Sequence, residues 1–246
     1  MNASPPALAT AERVIRQLRH DPRTIGLMIV VPSVLITLLK YVFNGSPAVF
    51  DHFAPMLLAL FPFSVMFVIT SVAMVRERTG GTLERLMATT ISKIDILTGY
   101  AAAFAIASLI QVTLVMTVGL GPLGLSIRGA VPLVALFAIL DALLGMSLGL
   151  FTSAFARTEF QAVQALPAFV FPQLLVCGIF APRGSMAQPL QWLADILPLT
   201  YAVDGVTHAA ASTGWSGVIL GDLAIVAACI PVSLALGALT LPRRTP

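Results

Sequence analysis

The stretch from Arg76 to Gly99 reads Arg-Glu-Arg-Thr-Gly-Gly-Thr-Leu-Glu-Arg-Leu-Met-Ala-Thr-Thr-Ile-Ser-Lys-Ile-Asp-Ile-Leu-Thr-Gly and interrupts two long apolar runs. Its charges, Arg76, Glu77, Arg78, Glu84, Arg85, Lys93 and Asp95, form the longest polar interval between residues 25 and 242. The chain as a whole is 58% hydrophobic and only 10% charged. A soluble domain carries roughly a quarter charged residues, so this composition predicts an all-α, polytopic membrane protein. The polar interval is then a surface that such a protein can offer to a soluble partner.

Six apolar stretches are long enough to cross a hydrocarbon core of roughly 30 Å. They run at about Ile25 to Phe43, Phe53 to Val75, Gly99 to Leu120, Val131 to Ala156, Phe160 to Phe180 and Trp215 to Leu241. With a cytosolic amino terminus, the inner segments hold Arg13, Arg16, Arg19, Arg23, Arg76, Arg78, Arg85, Lys93, Arg157, Arg243 and Arg244. Only Lys40, Arg128 and Arg183 of the 14 basic residues then lie outside. This asymmetry predicts a multi-pass protein of the cell membrane, inserted in the lipid bilayer with both termini in the cytosol. The expected organisation is a leader at 1–24, a six-span domain at 25–241 and a tail at 242–246. A cytosolic segment at 76–98 and an outer segment at 181–214 belong to the six-span domain.

In the leader, Leu8, Ala11, Ile15 and Leu18 recur at helical spacing opposite Arg13, Arg16 and Arg19, which predicts an amphipathic helix in the membrane interface. Asp21-Pro22 should break it before the first span. The first apolar run has no small-residue cleavage pattern behind it and reads as a retained span. Arg157-Thr158-Glu159 makes a tight hairpin between spans four and five. The outer segment contains Pro182, Pro189 and Pro198 and two helix-like pieces, Leu190 to Ile196 and Leu199 to Ala211. These read as short re-entrant or interfacial helices, with Trp192, Tyr201 and Trp215 as anchors.

Within the polar interval, Thr79-Gly80-Gly81 should end the helix arriving from span two. Thr82 can cap a short amphipathic helix with Leu83, Leu86 and Met87 on one face and Glu84 and Arg85 on another. Ser92-Lys93-Ile94-Asp95 has the spacing of a capping box and so can start span three. Taken alone, these residues also fit a solvated loop whose charges only enforce topology.

The decapeptide Glu77-Arg78-Thr79-Gly80-Gly81-Thr82-Leu83-Glu84-Arg85-Leu86 resembles a signature that follows the second span in permeases of the ABC type 2 exporter family. That group includes drug, lipid and polysaccharide exporters. A second patch agrees: Cys177-Gly178-Ile179-Phe180-Ala181-Pro182, with Leu190-Gln191-Trp192 and Leu197 to Asp204, is similar to that family's outer segment before the last span. The chain departs from the pattern at Thr90, where relatives usually carry a Pro. The resemblance implies a homodimeric or paired permease on which two cytosolic ABC ATPase subunits dock. Their contact would be the helix from Thr82 to Ala88 and the amino-terminal helix, through Glu77, Gly81, Thr82, Leu83, Glu84, Arg85, Leu86, Met87, Arg13 and Arg16. The chain has no G-x-x-x-x-G-K-[ST] phosphate loop, so ATP and Mg are expected on the ATPase partner and no cofactor on this chain.

Other residues invite a functional reading. Asp141 lies midway along span four, where an ionised carboxylate costs on the order of 3 kcal/mol, a cost its apolar neighbours offset. It can line a substrate path or a dimer interface, or it can be a structural residue bonded to a neighbouring helix. Gln111, Gln161, Gln164 and Gln173 pose the same choice. Gly145 with Gly149, and Gly217 with Gly221, have the spacing that lets helices approach closely. Asp204 and His208, four apart, read as a local ion pair in preference to metal ligands. The small positive excess, 14 basic against 11 acidic residues, follows membrane topology and does not argue for nucleic acid.

Three classes of function suit a polytopic chain of this kind to different degrees. The leading one is the transport subunit, not itself an enzyme, of an ATP-driven exporter that moves a hydrophobic or amphipathic substrate such as a drug or lipid. An ion-coupled secondary carrier using Asp141 and Asp222 lacks any obvious inverted repeat. An intramembrane enzyme lacks paired His, a carboxylate dyad or G-x-S-x-G.

Overall fold

The structure is a computed structural model and describes residues 6–82, 85 and 92–240. Among these, nine α-helices and one 3-10 turn account for the regular structure. They are α1 (Pro6–Arg19), α2 (Pro22–Val42), α3 (Pro47–Thr79), α4 (Lys93–Leu120), α5 (Val131–Ser153), α6 (Glu159–Val176), the turn Arg183–Ser185, α7 (Gln188–Ile196), α8 (Pro198–Ala211) and α9 (Gly217–Thr240).

Local chemistry sets the helix starts. Asp21 caps α2 as expected, accepting from Thr24 N at 3.2 Å and from Thr24 Oγ1 at 2.7 Å, with Pro22 in the first turn. These bonds hold the Asp21 carboxyl below its ordinary range. The capping box at α4 is reciprocal: Asp95 N donates to Ser92 Oγ at 3.1 Å and Ser92 N donates to Asp95 Oδ2 at 3.1 Å. Thr158 caps α6 by accepting from Gln161 N at 3.2 Å, which closes the predicted hairpin after α5.

Among the described residues five helices are long and apolar enough to cross a membrane: α2, α3, Ile94–Leu120 within α4, α5 and α9. The stretch expected as the fifth span, Phe160 to Phe180, gives α6, which is 18 residues long, carries Pro167 and Pro172 inside it, and stops short of Phe180. Its Gln161, Gln164 and Gln173 lower its apolar character, so its composition does not establish it as a span.

The middle of the molecule is the pair α3 and α5, lying side by side in the same direction. A Cβ on Gly145 would collide with the backbone of Phe63, and one on Gly149 with Phe67 O and Thr70 Oγ1. The close approach is sealed by Thr70 Oγ1, which donates to Met146 O at 3.2 Å. Gly145 and Gly149 thus serve contact within the chain, whereas Gly217 and Gly221 have no atom within 4 Å of an added Cβ. The two short helices before α9 form within two residues of their expected starts. α8 is held against α5: the Gly129 N–H donates to Ala210 O at 2.8 Å, and Gly205 faces the Phe137 ring. The Tyr201 hydroxyl donates to Asp195 O at 2.7 Å.

Candidate functional site: a charged junction at the end of helix α3

At 33 residues and 1.5 Å per residue, α3 is roughly 50 Å long, so it overruns a hydrocarbon core of about 30 Å. The helix therefore continues past Val75, where the apolar run stops, and carries Arg76, Glu77 and Arg78 in its last turn. It ends at Thr79 as the sequence predicts, with Gly80 as cap and Gly81 at φ +70°, a conformation that favours glycine.

These three consecutive residues reach three different parts of the molecule, because side chains one apart on a helix diverge by about 100°. Arg76 meets Glu159 of α6 in a two-pronged ion pair, Nε to Oε1 and Nη2 to Oε2, each 3.0 Å. Arg78 donates from Nη1 to Ser153 O and Ala156 O, filling the carbonyl end of α5. Glu77 turns inward and is only 8% exposed. Its Oε1 accepts from Arg13 Nη1 at 2.9 Å and from Gln17 Nε2 at 3.1 Å, both on α1.

Arg13 also donates from Nη2 to the Tyr100 hydroxyl at 2.9 Å, and its guanidinium lies 5.7 Å from the Tyr100 ring centre. Tyr100 is in the second turn of α4 and is 1% exposed. α1 can come this close because Gly99 has no side chain; a Cβ there would strike Thr10 and Ala7 O. Burial alone would lower the Arg13 pKa, but Tyr100 and Glu77 outweigh it and the group is held above its ordinary value, cationic at every working pH. One carboxylate therefore joins α3 to α1, and one guanidinium carries the connection on to α4.

The structure divides the residues expected here. Arg13 and Arg16 were placed together on a basic outer face. Arg13 instead points into the molecule, while Arg16 is exposed and pairs with Glu12 at 2.7 Å on its own helix. The reason is the width of the buried face, which is centred on Thr10, Ala11 and Val14, with Leu8 left exposed. Gly81 and Thr82 lie beyond the end of α3, and Arg85 is exposed. Leu83, Glu84, Leu86, Met87, Ala88 and Thr90 lie outside the described residues. Gln17, Tyr100 and Glu159 were not singled out from sequence, although the helical spacing of Gln17 from Arg13 was a usable signal.

Asp141 is fully buried in α5, away from this junction, and neither of its oxygens has a hydrogen-bond partner among the described residues. Gln111 is likewise fully buried and unpartnered there. Gln173 donates to Phe169 O of its own helix at 3.0 Å, Gln161 accepts from Arg157 N at 2.8 Å, and Gln164 is exposed. No inter-helix bond joins these three glutamines among the described residues. The expected local pair of Asp204 with His208 is replaced by two longer-range pairs. Asp204 Oδ2 meets Arg183 Nη2 at 3.2 Å, and His208 Nδ1 meets Asp222 Oδ2 of α9 at 3.5 Å. Burial raises the Asp204 pKa, opposed by Arg183 and His208.

Residues 7–210 match the family model described as ABC-2 type transporter. The chain belongs to that membrane-transporter family. Relatives include "ABC transporter G family member 20" of Dictyostelium discoideum, 33% identical over 159 residues, covering 65% of this chain and 22% of that protein. The "Probable multidrug ABC transporter permease YbhR" of Escherichia coli (strain K12) is 29% identical over 153 residues, covering 61% of this chain and 41% of its own length. The permease YbhS of the same strain, described in the same terms, is 27% identical over 166 residues, covering 67% and 44%. The chain thus spans less than half the length of these relatives. The family resemblance read from Glu77 to Leu86 is correct.

Proposed function

We propose that this ABC-2 family chain is the permease subunit of an ATP-driven exporter, energised by a separate cytosolic ABC ATPase and moving a hydrophobic or amphipathic substrate outward. The observation that carries this reading is the junction at Arg76-Glu77-Arg78. A force applied to the segment after Gly81 reaches α1 and α4 through Glu77, α5 through Arg78 and α6 through Arg76. The segment from Thr82 to Ala88 is the contact with the ATPase, and α1 lies along the cytosolic interface beside it. Two copies of the chain work with two ATPase subunits. α6 is the fifth of six spans and α9 the sixth, α7 and α8 form the outer re-entrant pair, and both termini are cytosolic. ATP binding shifts the population between two packings only to the extent that the ATPase dimer favours one of them. The related permeases named as multidrug transporters support an apolar or amphipathic cargo.

The test is affinity purification of the tagged chain from its native membranes, with the bound proteins identified by mass spectrometry. A stoichiometric partner carrying a phosphate loop supports the proposal. Transport by the chain alone, driven by a proton gradient in vesicles free of any ATPase, overturns it in favour of a secondary carrier using Asp141.

A further inference from the structure

A cleft opens where α5 turns into α6, away from α1 and from the outer ion pairs. Its volume is about 590 Å³, within the range of small-molecule sites. Phe151, Phe155 and Phe169 supply its apolar wall, and Arg157 and Gln161 its polar rim. Phe151 and Phe155 meet edge to face with ring centres 5.4 Å apart, which fixes the wall, yet Phe155 stays 65% exposed.

One cation at this end, Arg157, stands apart from the ion pairs around it. Arg76 is matched by two carboxylates, Glu159 at 3.0 Å and Asp21 at 4.0 Å. Arg78 is turned onto the α5 carbonyls. Arg157 makes no ion pair and no side-chain hydrogen bond among the described residues. Gln161 accepts the Arg157 N–H through Oε1, which leaves its Nε2 free to donate to an anion. The cleft therefore offers an unpaired cation and an amide donor at the mouth of an aromatic wall, at the end of α5 where its apolar run stops.

We propose that this cleft binds an anionic phospholipid of the cytosolic leaflet, its phosphate at Arg157 and Gln161 and one acyl chain along Phe151 and Phe155. A second copy of the chain fits less well, because a symmetric contact would bring two unpaired Arg157 side chains together. The assignment to the cytosolic leaflet rests on the orientation proposed above.

The purified chain, reconstituted in nanodiscs of phosphatidylcholine with a minor fraction of phosphatidylglycerol, is analysed by native mass spectrometry for retained lipid. The wild-type chain retains phosphatidylglycerol preferentially. Arg157→Gln lowers that preference about five-fold, the factor expected for one basic residue at a charged surface, and Arg157→Lys keeps most of it. Equal phosphatidylglycerol retention by Arg157→Gln and wild type, at unchanged melting temperature, overturns the site. So does a disulfide between two copies of a Phe155→Cys variant, which would show a partner chain covering the wall. Labelling of Arg157→Cys from outside the cell overturns the leaflet assignment together with the orientation, and is distinct from a failure of binding.

Discussion

Replacing Glu77 by Ala should release α1 from the rest of the molecule. Glu77 Oε1 receives Arg13 at 2.9 Å and Gln17 at 3.1 Å, and the side chain is almost completely enclosed. A hydrogen bond to a charged group contributes about 1.5–3 kcal/mol, and removing one member of a buried pair leaves the other without compensation. The Arg13 side chain is 28% exposed, so water recovers part of that loss. A net cost of about 2 kcal/mol follows, equivalent to roughly a 30-fold rise in the population of undocked α1. Hydrogen exchange of the α1 amides, from Thr10 to Gln17, reads this population directly. In Glu77→Ala these amides should exchange about 30-fold faster, with α9 unchanged, and Glu77→Gln should give an intermediate rate. Identical α1 exchange in Glu77→Ala and wild type would refute the reasoning, since the carboxylate would then not be what holds α1.

Other perturbations separate strong from weak contacts. Tyr100→Phe keeps the ring beside Arg13 and loses one hydrogen bond, so α1 exchange should rise by about 1 kcal/mol of equivalent free energy, less than for Glu77→Ala. Arg76→Gln breaks a pair whose side chains are 61% and 47% exposed, and thermal melting should report a loss of at most about 1 kcal/mol. Gly149→Val drives a branched side chain into Phe67 and Thr70, and should lower the melting temperature or prevent monodisperse purification, whereas Gly221→Val should melt like wild type. Asp21 has a folded pKa below its unfolded value, so its contribution is complete above the unfolded value of about 3.9 and is lost as pH falls through the folded one. Exchange at Thr24 and Ile25 should therefore accelerate below about pH 4, and Asp21→Asn should abolish that acid dependence.

Features decided by neighbours in sequence were legible from the sequence. The capping box at Ser92 to Asp95, the break at Thr79 to Gly81, the turn at Asp21-Pro22 and the hairpin at Arg157 to Glu159 each depend on residues within one helical turn, and each forms where predicted. Charges that meet across long separations were not legible. Glu77 finds Arg13 across 64 positions, and no periodicity states that Arg13 turns inward while Arg16 turns out. Gly99 is the missing clue, since its lack of a side chain is what lets α1 settle on α4. The hydrophobic run ending at Val75 likewise hid the extra turn of α3, because the end of an apolar stretch marks the membrane boundary and not the end of a helix. His208 shows the same limit: Asp204 is its neighbour by spacing, yet Asp222 of the next helix is its partner.

The most direct test of the account is the rate of ATP hydrolysis by the chain reconstituted in nanodiscs with the ATPase proposed as its partner, measured for wild type, Glu77→Ala, Arg13→Ala and the double variant. If the junction transmits force between the ATPase and the spans, each single change uncouples hydrolysis from the permease, and the double variant is no worse than either single one, because both remove the same connection. Unchanged, fully permease-dependent hydrolysis in all three variants, with α1 shown by exchange to be undocked, would contradict it.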